Sequence, residues 1–181
     1  MPLAEYMRKR RFDKTPKPAG RLKHPKSKRQ TFVVQRHQAS QLHYDLRLEL
    51  DDVLKSWAVP KGPTLTAGKP RLAMMVEDHP LDYANFEGQI PEGNYGAGEV
   101  IIWDHGWYEP RIKHAEKDQQ KLLREELKAG HLTIILHGQR LKGEFALVKS
   151  PKMGDKAWLL IKKNDEYATG RRATKTARVK A

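Results

Sequence analysis

Nine consecutive residues, LHYDLRLEL (42–50), alternate apolar and polar side chains without a break. A period of two is the signature of a half-buried strand and is incompatible with an amphipathic helix. The same kind of run recurs along the chain: TFVVQRH (31–37), VLKSWAVP (53–60), PRLAMMVED (70–78), GEVIIWDHGWYEP (98–110), HLTIILHG (131–138), KGEFALVKS (142–150) and KAWLLIKK (156–163). Turn residues separate them, and the longest of these runs bends past a glycine. About eight short strands at this spacing predict an all-β barrel or sandwich. One segment breaks the pattern. AEKDQQKLLREELKAG (115–130) places Leu122, Leu123 and Leu127 on one stripe and ends at Gly130, which predicts a helix.

Charge divides the chain. Residues 1–30 hold eleven Lys/Arg against two Asp/Glu, and residues 162–181 hold seven against two. The stretch between carries seventeen against eighteen, so a neutral body is flanked by basic ends. The first thirty residues, rich in Lys, Arg and Pro with no strand or helix period, are expected to form an extended arm along a phosphate backbone. Residues 31–163 form the expected domain. The stretch 164–181 is expected to be a basic tail or linker. Cysteine is absent, which removes disulfides and thiolate metal sites. No apolar run approaches the roughly 18 residues of a membrane helix, and the start lacks an apolar signal core. A cytoplasmic protein with no membrane partner is the expectation.

Chemistry concentrates in QRHQASQLHYDLRLELD (35–51). On the strand, His43, Asp45, Arg47 and Glu49 share one face, and Leu42, Tyr44, Leu46, Leu48 and Leu50 share the other. His43 and Asp45 lie about 6.6 Å apart along the strand, close enough for one ion to touch both tips. Gln35 and His37 share a face of the preceding run. If QASQ turns the chain back as a hairpin, His37 comes alongside His43. Two imidazoles and a carboxylate suit Mn, Fe, Co or Zn. Arg47, two residues on, supplies what an anionic, phosphate-like substrate requires. The residues alone leave open a plain salt bridge for Arg47 and a solvated strand face for the cluster. His79 falls at a strand end before Pro80, with Tyr83 four residues later. Lys61 sits in a stiff Pro-Lys-Gly-Pro turn, and Arg71 opens a strand. On their own these read as surface groups, as do His24, His105, His114, His131 and His137. PEGNYGAGEV (91–100) reads as a tight turn into a strand, because it lacks the Gly-Lys-Ser/Thr ending of a phosphate loop. A phosphoryl-transfer site, a non-haem Fe(II) oxygenase and a non-catalytic DNA-binding barrel stand nearly level on these residues.

Three long blocks, FVVQRHQASQLHYDLRLELDDVLKSWAVPKGP, EDHPLDYANFEGQIPEGNYGAGEVIIWD and LKGEFALVK, resemble the 3′-phosphoesterase domain of DNA ligase D, the bacterial end-joining ligase. The likeness runs over roughly residues 6–163. It implies a compact antiparallel β-barrel of about eight strands with one or two flanking helices. It implies a manganese-dependent enzyme that removes a terminal ribonucleoside from a 3′ end and then hydrolyses the remaining 3′-phosphate to a hydroxyl. Co²⁺ and Zn²⁺ are compatible with the same ligands. The family's metal ligands fall on His37, His43 and Asp45. Its catalytic groups fall on His79, Arg47 and Tyr83, and its phosphate contacts on Arg47, Arg71, Lys61 and His79, with Gln35 at a further polar position. The implied partner is a primer–template with a recessed or frayed 3′ end, with ligase and polymerase modules in cis or in trans. Lys17 departs from the family pattern, which more often has an acidic residue there, and this bears on the arm's part in the active site.

Overall fold

The computed structural model describes residues 3–9, 29–112 and 119–170. Among these residues nine strands form: β1 (Gln30–Gln38), β2 (Leu42–Leu50), β3 (Val53–Val59), β4 (Arg71–His79), β5 (Gly88–Ile90), β6 (Gly98–Pro110), β7 (His131–Gly138), β8 (Lys142–Lys149) and β9 (Ala157–Lys162). Every pairing between them is antiparallel, in the order β1-β2-β3-β4-β9-β8-β7-β6, and β6 returns to β1. Eight strands therefore close a barrel, and the three-residue β5 adds to β6 outside it. The barrel predicted from the strand runs is present, and closure removes the sheet edges that an open sheet would expose.

The alternation of β2 explains the barrel interior. Leu46, Leu48 and Leu50 point inward with Phe32 and Val34 of β1, Trp57 of β3, Phe145 and Leu147 of β8, and Trp158 of β9. Helix α2 (Gln119–Ala129) closes one end of the barrel, with Leu123 fully buried and Leu127 packed on the core. The β2–β3 hairpin turns on Asp51 and Asp52, both with positive φ, the two-residue geometry that matches strand twist. At the other end the β7–β8 turn is pinned by a buried carboxylate. Asp104 accepts hydrogen bonds from the backbone N–H groups of His105, Gln139, Arg140 and Leu141 at 2.7–3.1 Å.

A second, smaller core lies on the outer face of the β1-β2-β3-β4 wall. It contains Tyr6, Leu54, Leu81, Tyr83, Phe86, Ile90 and Val100. Tyr6 belongs to a short helix, α1 (Leu3–Lys9). This corrects the expectation of an extended arm over residues 1–30: residues 3–9 are helical because Tyr6 has an apolar seat to bury itself in. The rest of that arm, residues 10–28, lies outside the described residues. The body also runs past residue 163, since Thr169 bridges to Thr66 and its N–H bonds Leu65 O at 2.7 Å. Residues 171–181 of the expected tail lie outside the described residues.

Candidate active site

The β1–β2 hairpin does what QASQ was expected to do. Its register sets His37 opposite His43, Gln35 opposite Asp45 and Val33 opposite Arg47. Directly opposed residues share a face, so the polar side chains of two strands meet on the barrel's outer wall. The imidazole rings of His37 and His43 lie 4.8 Å apart. His37 Nδ1 is 3.5 Å and His43 Nε2 is 3.3 Å from Asp45 Oδ2. One ligand atom from each of the three residues falls within 4.8 Å of the others.

Hydrogen bonds orient both imidazoles. His37 Nε2 donates to Gly96 O at 2.6 Å, and His43 Nδ1 donates to Gln41 O at 3.2 Å. A carbonyl only accepts, so these contacts fix the proton on the outer nitrogen of each ring. In the neutral rings the inner nitrogens then turn lone pairs towards Asp45, the arrangement seen where a second shell prepares histidine for a metal; as imidazolium the same nitrogens donate to its carboxylate. Two residues past Gly96, Gly98 (φ +133°) lies so close to β1 that a Cβ would collide with the backbone carbonyl of Gln38. Burial alone would raise the Asp45 carboxyl. The Arg47 guanidinium and hydrogen bonds from both histidines outweigh it and hold the group well below the ordinary carboxylate range. His43 is raised, chiefly by its hydrogen bond to Asp45 and against the lowering effect of burial. Two imidazoles and an ionised carboxylate at this spacing fit a divalent transition metal.

The solvated strand face that the residues alone left open is not what forms: this wall is covered. Asp45 is 6% exposed and Arg47 3%. Arg47 Nε donates to Gln35 Oε1 at 2.7 Å, and Arg47 Nη2 lies 3.5 Å from Asp45 Oδ2. Gln35 in turn donates to Tyr83 O at 2.7 Å and Phe86 O at 3.1 Å. The guanidinium also lies 4.7 Å from the Tyr83 ring centre. Arg47 Nη1 is buried and has no hydrogen-bond partner among the described residues. A buried cationic N–H left unpaired costs on the order of 1–3 kcal/mol, and an anionic oxygen beside the His37–His43–Asp45 cluster would satisfy it.

His79 reaches the same cavity by way of a bulge. β3 pairs Ser56 with Val76 but Leu54 with His79, so β4 carries one extra residue there. The shift turns His79 to the outer wall, whereas Ala73 and Met75 pack inward. His79 Nδ1 donates to Glu77 O at 2.9 Å, which leaves Nε2 as the ring's second nitrogen. The 300 Å³ cavity is lined by His37, His43, Asp45, Arg47, His79 and Tyr83, together with Glu77, Tyr95 and Gly96. Lys61 and Arg71 do not line it. They meet each other at the barrel mouth, where Arg71 Nη1 donates to Lys61 O at 3.2 Å.

Several neighbours were not singled out from sequence. Tyr6 packs 4.7 Å from the His79 ring and 6.1 Å from Tyr83. Lys9 Nζ lies 3.3 Å from the buried Glu77 carboxylate and 5.0 Å from the Tyr95 ring centre. The signal for Tyr6 was a lone aromatic among charged residues, too little to predict a seven-residue helix. Among the histidines read as surface groups, His105 and His131 are exposed, whereas His137 is partly buried, paired with Glu109 at 2.7 Å and stacked on Trp107. His24 and His114 lie outside the described residues.

Residues 35–149 match the DNA ligase D 3′-phosphoesterase domain family. The multifunctional non-homologous end joining protein LigD of Pseudomonas aeruginosa is 51% identical over 169 residues, 92% of this chain and 19% of that protein. The multifunctional non-homologous end joining DNA repair protein LigD of Mycobacterium tuberculosis is 44% identical over 157 residues, 87% of this chain and 19% of that protein. The LigD of Mycolicibacterium smegmatis is 40% identical over 164 residues, 91% of this chain and 21% of that protein. The chain thus spans about a fifth of the length of these relatives. With a match over most of the barrel, and over every strand that lines the cavity, the chain belongs to the family of DNA ligase D 3′-phosphoesterase domains.

Proposed function

We propose that this chain is a metal-dependent 3′-end-healing phosphoesterase acting in end-joining repair. It removes 3′-terminal ribonucleosides and 3′-phosphates from primer ends and leaves a hydroxyl. The observation that carries this reading is the buried, unpartnered Arg47 Nη1 beside the His37–His43–Asp45 cluster. A cavity that sets a buried arginine beside three convergent donors suits a phosphate better than an uncharged substrate. That argues against an oxygenase, and a DNA-binding barrel with no catalysis would give the unpartnered Nη1 no reason to lie beside a metal-ligand cluster.

His37, His43 and Asp45 hold the metal, with manganese the expected ion and Co²⁺ or Zn²⁺ acceptable to the same donors. When bound, the cation supplies Lewis-acid polarisation of a phosphate oxygen. Arg47, held in place by Gln35, takes a second oxygen through its Nη1 and neutralises charge that builds at phosphorus. Water adds to phosphorus and one P–O bond breaks. The departing oxygen is the 5′ oxygen of the terminal nucleoside in the first step and the 3′ oxygen of the chain in the second. His79, through Nε2, protonates it or stabilises the charge. Tyr83 packs against Arg47 and His79 and fixes both. Lys61 and Arg71 contact phosphate from the barrel mouth. Residues 31–163, extended by the segment to Thr169 that pairs with Leu65 and Thr66, are the catalytic barrel, and the basic residues on either side add affinity for a primer–template. Ligase and polymerase activities, in cis or in trans, would use the hydroxyl.

A metal series on a primer–template ending in one ribonucleotide tests this. The expected products are a nucleoside, inorganic phosphate and a 3′-hydroxyl strand, with His43→Ala inactive yet still binding duplex. Absence of product with every divalent ion, or full turnover by His43→Ala, would refute it.

A further inference from the structure

The two ends of the barrel differ. α2 closes one, and its exposed Arg124 is paired with Asp51 at 3.0 Å. The other end gathers cations and aromatic rings. Arg36 of β1 sits opposite both Tyr44 of β2 and Ile101 of β6. On β6 the partner of β1 jumps from Asp104 to Ile102, which leaves Trp103 as the extra residue of a bulge, a device that re-aims a side chain. Trp103 meets the Tyr44 ring edge-on at 5.5 Å, and the exposed Arg140 lies 4.9 Å from its ring centre and donates Nε to Trp103 O at 2.9 Å. Beyond Tyr44, whose ring fills the space a side chain at Gly62 would need, come Lys61 and Arg71. Arg71 Nε is buried with no hydrogen-bond partner among the described residues. Among the described residues, none of Arg36, Lys61, Arg71 and Arg140 is in an ion pair. Tyr44 stands between His43 and Asp45 in the chain, so this rim and the metal cluster occupy the two faces of one strand.

We propose that the rim formed by Arg36, Tyr44, Lys61, Arg71, Trp103 and Arg140 binds the single-stranded nucleic acid that leads to the reacting 3′ end. This rests on the phosphoesterase reading and adds to it the path of the substrate strand. Interleaved cations and aromatic faces are the means by which proteins hold single strands: phosphates take the charges and bases lie against the rings. The orphaned Arg71 Nε and the unpaired Arg140 are donors suited to phosphate oxygens, and no carboxylate of the described residues is paired with them to compete.

The test is fluorescence anisotropy of the full chain with a labelled single strand ending in a 3′-phosphate, in chelator so that no turnover intervenes, across a salt series. Arg140→Ala and Arg36→Ala are compared with Arg124→Ala at the α2 end, with thermal melting as the folding control. Each rim variant should weaken binding and lower the salt slope by about one. The Arg124 variant should bind as wild type. With metal restored, the rim variants should raise KM and keep kcat within about twofold, as loss of uniform binding requires. Wild-type affinity and slope in both rim variants, or an equal loss in Arg124→Ala, would overturn the rim. A wild-type chain that binds through the rim but hydrolyses nothing would support the rim and refute the phosphoesterase reading.

Discussion

Gln35 shows how much a single buried polar side chain can hold in place. It is 0% exposed, and its amide ties two backbone carbonyls of the 81–86 segment to Arg47 Nε. Gln35→Leu leaves those partners buried and unpaired. It should cost about 1–3 kcal/mol of stability, read by urea unfolding, and reduce phosphate release through misplacement of Arg47. Arg47→Lys should lower kcat/KM by about 10²-fold or more, because an ammonium cannot donate to Gln35, Asp45 and a phosphate from one planar fork. Wild-type rates for Arg47→Lys would show that the guanidinium contacts nothing that reacts. At this scale the sequence was informative where a simple period applied. Alternation on β2 put His43, Asp45 and Arg47 on one face, and the hairpin added His37. His79 was harder, because the bulge on β4 that turns it to the site leaves no mark in residue spacing. A straight strand would have set it on the same face as Arg71, which the structure places at the barrel mouth instead.

Among the elements, α1 and the β7–β8 turn carry the most weight per residue. α1 brings Tyr6 against His79 and Tyr83. Tyr6→Ala should destabilise by about 3 kcal/mol, as for other buried aromatic truncations, and slow hydrolysis by loosening His79. Stability without loss of rate would separate the helix from the chemistry. Asp104→Ala strips the acceptor from four backbone N–H groups around the turn. A loss of about 3 kcal/mol or more is expected in urea unfolding, with kcat for phosphate release unchanged where the variant is folded. The strands themselves were legible because β-branched and aromatic runs with turn residues between them leave few alternatives. β5 was not, since three residues carry no measurable period, and neither was α1, whose helix is shorter than isolated helices can sustain. Both exist because a second apolar layer on the outer wall gives them something to cover.

At the scale of the whole molecule, the barrel supports the site from behind. Its interior is filled by apolar side chains, and the His37–His43–Asp45 cluster stands on the outer wall beside a separate small core. Acid should weaken this support from the C-terminal side. Asp165 accepts from Glu144 N, Tyr167 N and the buried Lys162 ammonium. Burial raises its carboxyl, and these hydrogen bonds more than offset that, so its pKa in the folded chain lies below the ordinary value of 3.8. Its contribution is therefore present above that value and lost as pH falls through the folded value. The stability gap between wild type and Asp165→Asn should narrow below about pH 4; a gap that stays constant would mean the carboxylate's charge does not matter. Metal should act on the same equilibrium from the other direction. Manganese at about 100 times its Kd should stabilise the folded chain by about 2.7 kcal/mol, and His43→Ala should abolish that gain. The most direct test is a crystal soaked in Mn²⁺ and read by anomalous scattering. A single ion bonded to His37 Nδ1, His43 Nε2 and an oxygen of Asp45 is the predicted result; at saturating Mn²⁺, an ion held elsewhere, or none between these atoms, would contradict the account.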